Sequence, residues 1–251
     1  MLNRRKALLM QLNSGAAFAL PTFSGSHAIF GDEKQGYIEC YGSGELTFPL
    51  PGTVDVFILG SGLKGRNGTA STSTPVQGGK GGKGAVGQTL TAVAVEGVYT
   101  ISVAGACTSN ATANKSIAFD TTVNSTTDNG GAGGYVTSAT SVSKGSNGSN
   151  GTAYPFGEVS GVFYKQLGAG GGGGGPCTDM NGYYIAAAGS GGTLGGGAGQ
   201  PGNGSPAAVA GTANTGSGGG GGRSCVSTSL GAGSGGNGGS GLVIIRWGYA
   251  A

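Results

Sequence analysis

Two glycine-rich segments carry the spacing of nucleotide-binding loops. Gly60-Ser61-Gly62-Leu63-Lys64-Gly65 follows an apolar, β-branched run in the G-x-G-x-x-G pattern that opens a dinucleotide site. That chemistry needs a helix whose N-terminus faces the pyrophosphate. The following residues, Arg66-Asn67-Gly68-Thr69-Ala70-Ser71-Thr72-Ser73-Thr74-Pro75, hold no helical period, so the match reflects glycine abundance. Gly78-Gly79-Lys80-Gly81-Gly82-Lys83-Gly84 imitates a phosphate loop, but Gly84 stands where the magnesium-binding Ser or Thr belongs. His27 is the sole histidine, which excludes a histidine-based metal cluster, and no G-x-S-x-G motif supplies a nucleophile. The ten carboxylates lack paired spacing, and Glu158 and Asp179 read as solvated loop residues. The expectation is therefore a non-enzyme with no catalytic residue, metal or cofactor.

The cysteines point to structure instead. Cys40, Cys107, Cys177 and Cys225 show no C-x-x-C spacing, against a zinc ribbon. Cys177 lies two residues beyond the glycine run ending at Gly175, and Cys225 three beyond the run ending at Gly222. If both runs are parallel helices of one lattice, their loops emerge at the same end, within disulfide reach. The alternative is a pair of unpaired buried thiols.

What positions these residues is mostly glycine. Sixty of 251 residues are Gly, 41 of them from Asn129 onward, in runs such as Gly170–Gly175 and Gly218–Gly222. Glycine loses the most backbone entropy on folding and gives no side chain to a core, so order here requires backbone packed on backbone. Disordered chains are rich in charge, whereas only 9% of this one is charged. The net charge of +3 is carried by Arg4, Arg5 and Lys6 alone. No basic stripe or Arg-Gly-Gly repeat is present, so no nucleic-acid partner is expected. No run reaches the length of a membrane span, so no membrane insertion is expected. Arg4-Arg5-Lys6 and Ala17-Phe18-Ala19 imitate the ends of a secretion signal, but Gln11, Asn13, Ser14 and Gly15 break the apolar stretch between them. A flexible or short helical attachment arm is the simpler reading.

The rest of the first half reads as strand. Gly36 to Tyr41 and Glu45 to Phe48 flank Gly42-Ser43-Gly44 like a hairpin. Pro49 and Pro51 punctuate before Thr53 to Leu59, where Val54, Val56 and Ile58 share one face and Asp55, Phe57 and Leu59 the other. Thr89 to Val95, Val98 to Val103 and residues 242–247 complete the set. Strands near both ends of the chain imply one small β-sandwich joining the termini.

Collagen is excluded by eight prolines and a broken triplet register. Local three-residue spacing (Gly145, Gly148, Gly151; Gly235, Gly238, Gly241) fits polyglycine II helices, which turn every three residues and hydrogen-bond only to neighbours. A helix surrounded on all sides must be glycine throughout, while one at the edge needs glycine only on its inner faces. The fold class is all-β: a β-sandwich of N- and C-terminal strands plus a body of packed polyglycine II helices. The expected divisions are an arm over 1–35, a β-rich part over 36–128, the body over 129–241 and a closing strand over 242–251.

The ordered series Glu45 to Gly65, Gly97 to Gly105, Ser116 to Phe119, Phe156-Gly157-Glu158, Gly168 to Gly175, Thr212 to Gly216 and Gly239 to Arg246 resembles the glycine-rich domains of phage and prophage tail proteins. More distantly, the glycine body resembles the adhesins at the tips of T-even-like long tail fibres, which carry variable receptor-touching loops on a polyglycine II sandwich. The resemblance implies a virion protein of the tail that binds a host-surface protein or glycan and attaches to other tail proteins through residues 1–35, as a homotrimer if it follows the usual fibre symmetry. Candidate receptor contacts are Asp179, Met180, Tyr183, Tyr184 and Arg223, since Tyr and Arg are favoured at contact surfaces. The alternatives are a purely architectural tail or capsid fibre and a bacterial cell-surface protein.

Overall fold

The computed structural model describes residues 19–138, 141–155, 164–178, 184–226 and 231–248. Their regular structure is all β. Six strands make one antiparallel sheet: β1 (Thr22–Phe23), β2 (His27–Gly31), β3 (Gly36–Cys40), β4 (Gly44–Leu59), β5 (Gln88–Ile101) and β6 (Leu242–Trp247). The order is β1-β4-β6-β3-β2, with β5 also paired to β4. Only residues 24–26 separate β1 from β2, yet the two stand at opposite ends of that order, so the sheet curls nearly closed.

Strand alternation decides what the sheet buries. Val54, Val56 and Ile58 enter a core with Ile38, Leu46, Phe48 and Trp247. Phe57 and Leu59 enter a second one with Leu242 and Ile244. A strand covered on both faces is apolar nearly throughout. The one charge in its second half, Asp55, is paired: Arg246 Nε and Nη2 donate to Oδ2 at 2.9 and 2.6 Å, and the Ala92 N–H donates to Oδ1 at 2.9 Å.

Three details differ from the sequence reading. The segment 36–41 does not form a hairpin with 45–48, because the apolar β6 takes the place between β3 and the second half of β4. Pro49 and Pro51 bend β4 without ending it; the register with β5 shifts between Phe48 and Gly52. β5 likewise runs through the expected gap at Glu96-Gly97, with Gly97 at φ +88°.

Beyond the sheet lies a lattice that contains, among the described residues, ten extended helices, PG1 to PG10, at residues 60–68, 78–83, 129–134, 144–151, 168–175, 186–192, 196–202, 207–212, 216–223 and 233–241. They run alternately up and down and stack in three layers: PG3-PG2-PG1, PG4-PG5-PG9-PG10 and PG6-PG7-PG8. PG5 shows the three-residue period directly. Gly170 and Gly173 donate to PG4, Gly171 and Gly174 to PG2, and Gly172 and Gly175 to PG7. Its carbonyls accept from PG3, PG6 and PG9 with the same period, so PG5 has six hydrogen-bonded neighbours. PG9 has six as well: PG1, PG2, PG5, PG7, PG8 and PG10.

These two enclosed helices are the oligoglycine runs. A Cβ on Gly171, Gly172 or Gly173 would fall onto the carbonyl of Gly219, Gly189 or Ala132. PG4, at the edge, points only Gly145, Gly148 and Gly151 inward and exposes Ser146, Asn147, Ser149 and Asn150. Asn147 and Asn150 reach sideways to accept from the Ser190 and Thr193 N–H groups, both at 2.9 Å, extending the lattice with side-chain amides. The body therefore begins at residue 60, not 129, and residues 22–31, expected in the arm, belong to the sheet. Residues 1–18 lie outside the described residues.

Candidate functional site: the turns at the distal end

Alternating helix direction sorts the connections. The up-running PG1, PG3, PG5, PG7 and PG9 all end at one face, so the described residues of the connections that follow them, 69–77, 135–138, 141–143, 176–178, 184–185, 203–206, 224–226 and 231–232, gather there. The six-stranded sheet occupies the other end, where β4 leads into PG1 and PG10 into β6.

Short strands cap this distal face. Tyr184–Ile185, Pro176–Thr178, Ser224–Val226 and Ala70–Ser71 form one small sheet; Ser141–Val142, Tyr135–Ser138 and Val76–Gln77 form another. Val76, Val136 and Val226, with Val142 beside them, fill the space beneath. Ser224 Oγ donates to Gln77 O at 2.6 Å and accepts from the Thr69 N–H at 2.7 Å, tying the first turn to the last.

Cys177 and Cys225 are joined in a disulfide; they are register partners on parallel strands, with Cα atoms 4.7 Å apart. Cys40 and Cys107 are buried free thiols. Burial pushes the Cys40 thiol up to about 12. Arg223 sits at the end of PG9: its N–H donates to Gln200 Oε1 at 3.2 Å and Nη1 to Gly202 O at 3.3 Å. Gln200 Nε2 in turn donates to Gly204 O at 2.9 Å. Tyr184 lies in the short strand Tyr184–Ile185 beside Cys177 and Thr178. Asp179, Met180 and Tyr183 lie outside the described residues. The structure thus brings Arg223, the disulfide and the backbone of Tyr184 to one face.

The turn at 69–77, residues 135–138 and 141–143 with the exposed Tyr135, and the Gln200 support under Arg223 were not anticipated. Ser- and Thr-rich stretches look alike whichever end of a helix they leave, and only the alternation of directions places them together. Both nucleotide-loop imitations are lattice helices, PG1 and PG2, with their inner glycines committed to neighbours. Lys80 Nζ donates to Asp128 Oδ1 at 2.6 Å, with Lys83 also close. The Lys80 hydrogen bond and charge, helped by Lys83 and Arg66, hold the Asp128 carboxyl below its ordinary value. Among the described residues no three His, Cys, Asp or Glu converge as metal ligands.

Fold and tip together define an all-β protein whose polyglycine II lattice displays turns at one end. The family model for the glycine-rich domain matches residues 41–248, and the chain belongs to that family. No curated protein matches it.

Proposed function

We propose that this protein is a phage tail-fibre or tail-tip adhesin that binds the host cell surface through its distal turns. The observation that carries this reading is the gathering of five turns on one face of a lattice held by its own backbone. Turn side chains can change there without disturbing the fold, which suits recognition of variable surfaces. The sequence resemblance to tail proteins supports the same reading. On this reading residues 1–35 attach the protein to other virion proteins, as a homotrimer.

The test is binding of the fluorescently labelled full chain to cells of the source host, beside a variant with residues 178–184 replaced by a Gly-Ser segment of equal length. Saturable binding that the replacement abolishes, with unchanged circular dichroism, establishes the adhesin. Absence of binding by the folded, unaltered chain turns the reading to an architectural fibre.

A further inference from the structure

The molecule contains two well-placed arginines, and they are used differently. Arg246 presents the edge formed by Nε and Nη2 to the Asp55 carboxylate. Arg223 spends Nη1 on Gly202 O, while its Nε is buried with no hydrogen-bond partner and its Nη2 makes none among the described residues. The same edge that clasps a carboxylate in Arg246 is thus unfilled in Arg223. From 129 to 248 the described residues include no Asp or Glu, so nothing among them supplies the counter-charge. An unsatisfied buried donor is destabilising, more so on a charged group.

The guanidinium is nevertheless fixed in place. Nη1 donates to Gly202 O, the turn beyond PG7 lies against the side chain, and Gln200 Oε1 accepts from the main-chain N–H of Arg223 behind it. Gly204 has φ +82°, a backbone conformation that favours glycine, and a Cβ there would stand 2.5 Å from Nη1 and push the guanidinium aside. Such support holds a planar fork ready for an oxyanion, at the face where the turns gather.

We propose that the Nε/Nη2 edge of Arg223 is an anion-binding site that takes a carboxylate or phosphate group of the surface ligand. This rests on the adhesin reading for its biological ligand, though the anion site is testable without it. The oxyanion pairs with Nη2 and Nε together and supplies the partner that the buried Nε lacks. An acidic sugar and a phosphorylated glycan present the same chemistry.

The full chain labelled with nitrogen-15 has five arginine Nε–H signals to follow, and loss of one in Arg223→Lys assigns the site. Titration with inorganic phosphate and, separately, with galacturonate should shift that signal saturably, and the stronger of the two identifies the ligand source. Arg223→Lys keeps the charge but lacks the paired edge. It should weaken host-cell binding by about 30-fold or more, with the melting temperature and the disulfide unchanged. No shift with either anion, and cell binding unaltered in Arg223→Lys, overturns the site and leaves the adhesin standing. A shift without any binding of the unaltered chain to cells keeps the site and removes the adhesin. Movement of the signal in ligand-free Asp179→Asn shows that the chain's own carboxylate fills the edge and overturns the proposal.

Discussion

At the scale of single residues, glycines of identical composition carry very different weights. Gly172 lies in the enclosed PG5, where a methyl group meets the Gly189 carbonyl and both backbones are held by further neighbours. Gly105 is exposed, with open space around the position of a Cβ. Gly172→Ala should therefore cost about 4 kcal/mol or more, lowering the melting temperature by about 8–16 °C. Gly105→Ala should stay within about 0.5 kcal/mol. Calorimetry of both variants checks the contrast, and equal effects would contradict the six-neighbour packing. The buried Cys40 gives a pH dependence. Its thiol is raised from 9.0 to about 12 by burial, so the folded state keeps a proton that the unfolded chain releases. The Tyr41 hydroxyl, raised to about 12 by burial and by its bond to Glu39, acts in the same sense. Their stabilisation is complete below the unfolded values and is lost as pH rises through about 12. The urea midpoint should fall between about pH 8 and about pH 10.5, and Cys40→Val should flatten part of that fall.

At the scale of elements, enclosed helices declare themselves in sequence and outer ones do not. Runs such as Gly170–Gly175 leave no role except that of a helix with neighbours on every side. PG1 and PG2 place Leu63, Arg66, Lys80 and Lys83 between inward glycines, and so resemble ligand loops. Their place in the lattice depends on partners such as Gly219 and Gly236, more than 130 residues away. The sheet was legible in its strands but not in its pairing, because β6 reaches its central place from the far end of the chain. The Cys177–Cys225 bond could be read from the distance of each cysteine beyond its glycine run, since parallel helices of one lattice end level. It closes a sequence separation of 48 residues. Chain entropy sets its contribution near about 4 kcal/mol. Dithiothreitol should lower the melting temperature by about 8–16 °C and speed amide exchange first in Pro176–Thr178 and Ser224–Val226. Unfolding without reductant should expose two reactive thiols; four would refute the pair.

At the scale of the whole molecule, a polyglycine II helix has no internal hydrogen bonds and nothing to stabilise it alone. Each becomes stable only when its neighbours are present, and those neighbours come from the length of the chain. Gly62 and Gly65 donate to Gly239 and Gly236, and Gly219 and Gly222 to Leu63 and Arg66. PG10 also bonds to PG8 and PG9, and β6 separates β3 from β4 at the centre of the sheet. Sheet and lattice therefore share the end of the chain as a common support. Such non-local pairing makes folding slow, on a scale of about milliseconds to seconds or longer, because loop closure precedes any gain. It also makes unfolding a single transition, so thermal curves from circular dichroism and from Trp247 fluorescence should coincide. Removing residues 232–251 takes away PG10 and β6 together. That truncation should leave neither part folded, even though β1 to β5 and PG1 to PG9 keep every residue. Amide exchange on the truncated chain decides the matter. Protected amides surviving in PG5, which does not touch PG10, would mean that the lattice holds together in patches and that its ends are dispensable. Uniformly fast exchange would mean that the last twenty residues lock the whole, because no helix of this kind has stability of its own to keep.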